Sequence, residues 1–429
     1  MNIRIEKITV NGEQSVFYTD QFGLPITGNL SIDHASNYIC LEKGGTTVTS
    51  RETTARHLLF CLNYFNDQNI NIAERVMSAK FLDSSELNKF SRHCYKKQEF
   101  IKETTLSNIT SFTEKDSISP STRQSTFRQK SVANTTVKER LRAMRGFLEY
   151  LFERFHYGTL PMETEKRHSD TIEYLKREIR KAKPQNNKVI DVDEVVFTEE
   201  LLELIFEITQ VGHPKNPFRK AQLRNRVIIE TIFDTGLRRG ALLGLKIGDI
   251  VDDSTPRIKV IKRVNTDDPR KHRPTQKTQS GVIGATRITT QNLKTYIETI
   301  RDSVDPKEKS RPLYPKATTH DFIFISEHGK TKGAPLSITG FNYIFEILSK
   351  ALNEHISPHL IRHHWNYAFT QLCKAANLTN EEADKLRKNQ MTWDDNSDMA
   401  SIYNKRAILE KVREIKQGYQ SQLFYTGDA

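Results

Sequence analysis

Three short stretches carry residues whose types and spacing suit chemistry on one group. Asp234-Thr235-Gly236-Leu237-Arg238-Arg239-Gly240 follows an apolar run from Val227 to Phe233. Gly236 stands where a left-handed cap would close a helix, so the arginines after it are presented on a fixed turn. Ser357-Pro358-His359-Leu360-Ile361-Arg362-His363 puts His359 and Arg362 three residues apart, on one face of a helix, where both can address one anion. A phosphate suits them, because the planar guanidinium fork takes two phosphate oxygens at once. Tyr403, ten residues after Trp393, offers a hydroxyl nucleophile. A phenol of pKa about 10 attacks a phosphodiester only where cationic donors hold the developing charge, and such donors act most strongly in a dry, preorganised site.

The carboxylates point away from metal chemistry. Asp252-Asp253, Asp267-Asp268 and Asp394-Asp395 are adjacent pairs in loops, a pattern of solvated charge rather than of a two-metal centre. The chain carries no Gly-x-x-x-x-Gly-Lys phosphate loop. The expectation is phosphoryl transfer with no metal and no nucleotide cofactor.

The elements that must position these groups follow from periodicity. Residues 1–50 read as short extended pieces: Ile3 to Val10 alternates apolar and polar residues, and Asn11-Gly12 is a hairpin signal. From Thr53 the period becomes helical, with His57, Leu58, Cys61, Leu62 and Phe65 on one stripe. A second strong helix spans about Val137 to Phe155, with Leu141, Met144, Leu148, Leu151, Phe152 and Phe155 on its apolar face. Lys138, Arg142 and Arg145 lie off that stripe and form a basic face able to straddle a DNA backbone. Between the two helices, Thr104 to Thr136 is rich in Ser and Thr and reads as a loop. Residues 51–158 therefore form a small helical domain, and the polar, charged residues 159–196, broken by Pro161 and Pro184, read as a linker.

Thr198 is an N-cap followed by Glu199 and Glu200, where the helix dipole favours acids, and a second domain, 197–429, starts there. Helices are expected at Leu201–Ile208, Leu223–Phe233, Asn292–Arg301, Ile338–Leu352, Pro358–Leu372 and Met399–Lys416. Strands are expected at Arg257–Val264, Gly281–Thr289 and Asp321–Ser326. The fold class is thus mainly α with a small antiparallel sheet. Between the first two strands, Arg263, Arg270, Lys271, Arg273 and Lys277 make a basic hairpin suited to lie on a phosphate backbone.

Composition bounds the rest. The 429 residues exceed what one hydrophobic core usually serves. With 36% hydrophobic and 28% charged residues and a net charge of +12, the chain is polar and suited to a polyanionic partner. No apolar run is long enough to cross a bilayer, and Met1-Asn2-Ile3-Arg4-Ile5-Glu6 lacks the build of a signal peptide. Cys40, Cys61, Cys94 and Cys373 form no close pair, so a reducing cytoplasm is the expected location.

Taken in order, these features resemble the tyrosine recombinase, or phage integrase, family. Phe233 to Leu245, running on to Asp249-Ile250, looks like the family's first box, and Pro358 to His363 like its second. Ser401-Ile402-Tyr403 stands where the family carries its nucleophile. The likeness covers about residues 197–416; the helical domain before it resembles the family's core-binding domain in position and helical pattern. The resemblance implies that Arg238 and Arg362 clamp the scissile phosphate, with His359 in proton transfer or hydrogen bonding. It further implies that Trp393 donates its N–H to a phosphate oxygen, that Lys277 protonates the leaving 5′ oxygen and that Tyr403 attacks. Ala241 departs from the acidic residue usual in the family, so support for Arg238 must come from elsewhere. The segment from Trp393 to Tyr403 is one residue longer than expected.

The resemblance implies a site-specific DNA recombinase working through a 3′-phosphotyrosine on double-stranded DNA, as a homo-tetramer on paired sites, in the manner of a mobile element's enzyme. Two other readings share these residues: a type IB topoisomerase-like relaxing enzyme, and a DNA-binding protein that keeps the scaffold without cutting. Exchange between paired sites, against relaxation of a one-site plasmid, separates the first two.

Overall fold

The computed structural model describes residues 3–10, 13–98, 131–158, 161–182, 197–263, 267–397 and 416. The chain divides into two compact units, Met1–Val189 and Ile190–Ala429.

The first unit begins with the expected hairpin. Strands β1 (Arg4–Val10) and β2 (Glu13–Thr19) pair antiparallel with Arg4 opposite Thr19, and the turn residues Asn11 and Gly12 lie outside the described residues. Period-2 alternation sends Val16 and Tyr18 inward, and the Tyr18 hydroxyl donates to the Ala55 carbonyl at 2.8 Å. The hairpin is thereby fixed to α2 (Val48–Asp67), and Val16, Tyr18, Ile26, Ile32 and Ile39 share one core with the helices. Helices α1 (Leu30–Asn37), α3 (Ile72–Met77) and α4 (Ser84–His93) complete the first layer, α4 starting at a capping box of Asp83 and Glu86. The long helix α5 (Asn134–Phe155) buries Leu141, Met144, Leu148 and Leu151 as its period requires, while Phe152 and Phe155 remain half-buried. Gly146 lets α5 close on Tyr38, since a Cβ there would lie 2.4 Å from the phenol oxygen.

The segment expected as a linker contributes α6 (Met162–Lys181) to this unit. Its charges hide a narrow apolar stripe of Ile172, Leu175 and Ile179, which packs in the same core. High charge had masked the period.

In the second unit, α7 (Glu199–Ile208) starts at Thr198, whose hydroxyl accepts from Leu201 N as expected. Then come α8 (Gln222–Thr235), α9 (Arg239–Gly244) and a three-stranded antiparallel sheet of β3 (Ile250–Val251), β4 (Arg257–Val260) and β5 (Gly281–Gly284). The fold is mainly α with small antiparallel sheets. Beyond β5, Thr286 caps α10 (Arg287–Tyr296), so the strand expected to reach Thr289 stops early and its last residues begin a helix. The strand expected at 321–326 is reduced to isolated bridges, Lys246 with Phe322 and Ile325 with Pro335. The buried Arg301 takes the carbonyls of Ala317, His320 and Phe322, so a side chain supplies donors that a neighbouring strand would have given. Helices α11 (Ile338–Leu352), α12 (Pro358–Ala375) and α13 (Asn380–Gln390) close the unit. The helix expected at Met399–Lys416 lies outside the described residues except for Lys416.

Candidate phosphate-binding site

The site is built where α8 ends. Gly236 is left-handed, φ 64°, and its N–H bonds the Ile232 carbonyl at 2.8 Å. The helix-end carbonyls are claimed by α12: Trp365 Nε1 donates to Asp234 O at 2.8 Å, and Arg362 Nη1 donates to Gly236 O. A cation at a helix C-terminus is also favoured by the dipole. A Cβ at position 236 would lie 2.7 Å from Met391 Cε and 3.0 Å from the Trp365 ring, so glycine is needed for close approach as well as for its φ. Asp234 turns outward to cap α10, its Oδ2 accepting from Thr286 N at 2.8 Å.

Around this turn lie four of the expected groups, Arg362, Trp393, His359 and Arg238. Arg362 is 4% exposed, and its guanidinium lies 5.7 Å from the Trp393 ring centre, with Met391 and Trp365 packed on that indole. His359, on the same face of α12, has its pKa lowered first by partial desolvation of its ring and then by the positive charges of Arg362 and Arg238. Both arginines therefore disfavour the charged form of one imidazole. Arg238, half-buried, occupies the N-cap position of α9 with extended backbone, one residue past Leu237 in the core. Ala241, where an acid was missing, is buried in that core.

The loop bearing Lys277 crosses α9 at Gly240, where a Cβ would fall 2.1 Å from the Thr275 carbonyl oxygen. Lys277 itself is exposed. Tyr403 lies outside the described residues.

Sequence reasoning passed over His363, whose Nε2 lies 3.0 Å from His359 Nε2; burial first, then His359 and Arg362, push its pKa down to about 4. The signal was present, since histidines four apart share a helix face.

Two expected DNA contacts are corrected. Arg270 is 8% exposed; its Nε and Nη2 grip the fully buried Asp268 carboxylate, and its Nη1 donates to Leu243 O and Leu336 O at 3.1 and 3.0 Å. Arg263 sends both Nη atoms to the buried Asp249. Taking either guanidinium to a phosphate would strand a buried carboxylate. Arg273 uses its Nε on Asp268 O at 3.0 Å, and Lys271 is exposed. In the first unit, Arg142 pairs with Glu139 at 2.6 Å and Arg145 with Glu149 at 3.6 Å, while Lys138 is half-buried.

The paired aspartates are tied to protein donors: Asp252 to Thr290, Asp253 to Arg257, Asp267 to Lys246, and Asp394 to Gln279. Among the described residues no group of three His, Cys, Asp or Glu could hold a metal ion, and no helix is long and apolar enough to cross a membrane.

Residues 196–404 match the Phage integrase family, and the matched span reaches one residue past Tyr403. The tyrosine recombinase XerD of Halalkalibacterium halodurans is 24% identical over 238 residues, which are 55% of this chain and 62% of the relative. The tyrosine recombinase XerC of Pediococcus pentosaceus is 23% identical over 291 residues, 67% of this chain and 76% of the relative. Among solved structures, the XerH site-specific recombinase bound to difH substrate superposes with a TM-score of 0.36 at 15% identity, covering 84% of this chain and 96% of that one. XerA recombinase gives a TM-score of 0.34 at 15% identity, covering 84% and 98%. By its matched segment and its relatives, the chain is similar to the phage integrase family, the tyrosine recombinases.

Proposed function

We propose that this protein is a site-specific DNA recombinase that cuts and rejoins strands through a 3′-phosphotyrosine on Tyr403, using side-chain donors alone. The supporting observation is the gathering of Arg238, His359, Arg362 and Trp393 around the Gly236 turn, where Arg362 holds the Gly236 carbonyl and lies 5.7 Å from the Trp393 ring centre. The two guanidinium groups take the non-bridging oxygens of the scissile phosphate, and the Trp393 N–H adds a further donor. As the Tyr403 oxygen bonds to phosphorus, the phenol proton passes to the neutral His359. The bond from phosphorus to the 5′ oxygen breaks with its electron pair on oxygen, and Lys277 supplies a proton there. The phosphotyrosine conserves the phosphodiester energy, so reversal rejoins a strand without a nucleotide.

The partner is double-stranded DNA, engaged as a homo-tetramer on paired sites. Lys271 and Lys277, exposed on the crossing loop, suit the sugar-phosphate backbone, as do Arg273 and the basic face of Lys138, Arg142 and Arg145.

The test uses a nicked duplex selected for binding from a randomised library, followed by a denaturing gel for protein joined to DNA. The adduct is expected with chelator present, and Tyr403→Phe removes it while DNA binding persists. Attachment at Tyr367 or Tyr419, or loss of cutting with chelator, would overturn the assignment.

A further inference from the structure

The segment carrying Lys277 is laced to the segment carrying Trp393 by contacts that the proposed chemistry does not itself require. Thr392 Oγ1 donates to Thr278 Oγ1 at 2.7 Å, and Gln279 N donates to Thr392 O at 3.1 Å. Gln279 Nε2 donates to Asp394 Oδ2 at 2.6 Å. On the other side of Lys277, Gln276 Nε2 donates to Gln279 O at 2.7 Å, closing a small loop around the lysine. Gly281 lies flush on the same spot, since a Cβ there would be 2.9 Å from Thr392 Cγ2.

Thr392 has φ +51°, a left-handed conformation that a β-branched residue adopts only against its own sterics. Its N–H bonds Asn389 O at 3.0 Å, and its carbonyl and hydroxyl both face the Lys277 segment. Strain of this kind persists where surrounding bonds over-determine the residue, and here those bonds run to Thr278 and Gln279.

Lower on the same face, the Gln390 side chain makes a reciprocal pair with the Gly284 backbone, at 3.0 and 2.9 Å. That pair already docks α13 on β5. The Thr392 contacts therefore add registry for the residues just beyond the sheet, next to Lys277 on one strand of chain and Trp393 on the other.

We infer that this clamp fixes the ammonium of Lys277 relative to Trp393, and that Thr278 and Gln279 are positioning residues for protonation of the leaving 5′ oxygen. The inference rests on the proposed recombinase reading, with Lys277 as proton donor. A general acid must sit within hydrogen-bond reach of the oxygen it protonates, and an exposed lysine on an unclamped loop would spend little time there.

The test compares single-turnover cleavage of a selected nicked duplex with oxygen or sulfur at the 5′ bridging position. A thiolate leaves without a proton, so sulfur bypasses the acid. Lys277→Ala is expected to be slow on oxygen and restored on sulfur. Thr278→Val is expected to lose about tenfold on oxygen, recover on sulfur and bind DNA as the parent does. Thr278→Ser, which keeps the hydroxyl, should stay near the parent rate. Gln390→Leu, which loosens docking but not the clamp, should lower Tm without a sulfur-specific recovery. The clamp is overturned if Lys277→Ala is rescued by sulfur while Thr278→Val is unimpaired, or equally slow on both substrates. If Lys277→Ala itself shows no rescue, the assignment of the acid falls, and the clamp's role with it.

Discussion

Arg270 of the crossing loop and Arg362 of α12 are buried to a similar degree, yet the protein treats them differently. Arg270 is closed by the Asp268 carboxylate and two backbone carbonyls, and Arg263 by Asp249. Arg362 hydrogen-bonds the carbonyl of Gly236 at a helix end and lies beside an indole. A carboxylate fork neutralises its arginine and locks a loop, whereas a carbonyl and a ring orient the guanidinium and leave its charge acting on His359. Burial alone therefore does not mark a functional cation. What faces the cation does.

The contrast can be broken by substitution. The largest effect is expected at Arg270: Arg270→Leu leaves Asp268 buried and unmatched, at a cost of about 3 to 5 kcal/mol, seen as a fall in Tm. Adding Asp268→Asn should return much of it, because the stranded charge is then gone. Cleavage by the folded fraction should be little changed in both. Next comes Arg362→Lys, expected to slow cleavage by about a hundredfold or more with Tm nearly kept, because an ammonium cannot reproduce the fork. An Arg362 variant that loses stability as Arg270 does, with catalysis intact, would erase the distinction.

Smaller effects sharpen it. Lys271→Ala should weaken DNA binding evenly across sequences and lower the salt slope by about 1 in a fluorescence titration, whereas Arg263→Gln should lower Tm and leave that slope unchanged. The smallest effect is that of pH. His93, His168 and His363 have their pKa pushed down to about 4, in each case chiefly by burial. Because the unfolded chain takes up these protons near pH 6.5, it binds more protons than the folded one between about pH 6.5 and 4. Stability should therefore fall as pH drops through that window, by several degrees in Tm between pH 7 and 5. His168, stacked on Phe152 at 3.7 Å between centroids, is a direct check: His168→Phe should flatten the fall.

Much of the scaffold was legible beforehand because it obeys local rules. Ile338–Leu352 is bounded as its pattern requires, Thr198 caps as expected, and Gly236 adopts the left-handed turn that a helix end favours. The boxes around Arg238 and Arg362 were legible for the same reason: each is a short motif on one helix end. The errors fell where partners come from afar. The stripe of α6 is too narrow to outweigh its charges, and Phe322 gives its carbonyl to Arg301 instead of to a strand. Arg263 and Arg270 read as surface cations because Asp249 and Asp268 reveal nothing of their burial in a linear listing.

Sequence by itself determined the helical framework, the positive balance and the order of Arg238, Lys277, His359, Arg362, Trp393 and Tyr403, since periodicity, capping and charge depend on neighbours along the chain. Only the tertiary structure decided which cations are spent on carboxylates, that His363 leans on His359, and that Thr392 is tied to Thr278. Those outcomes depend on contacts between residues from 4 to more than 100 positions apart. Desolvation, which decides whether a charge must be matched, arises only when distant segments close over it.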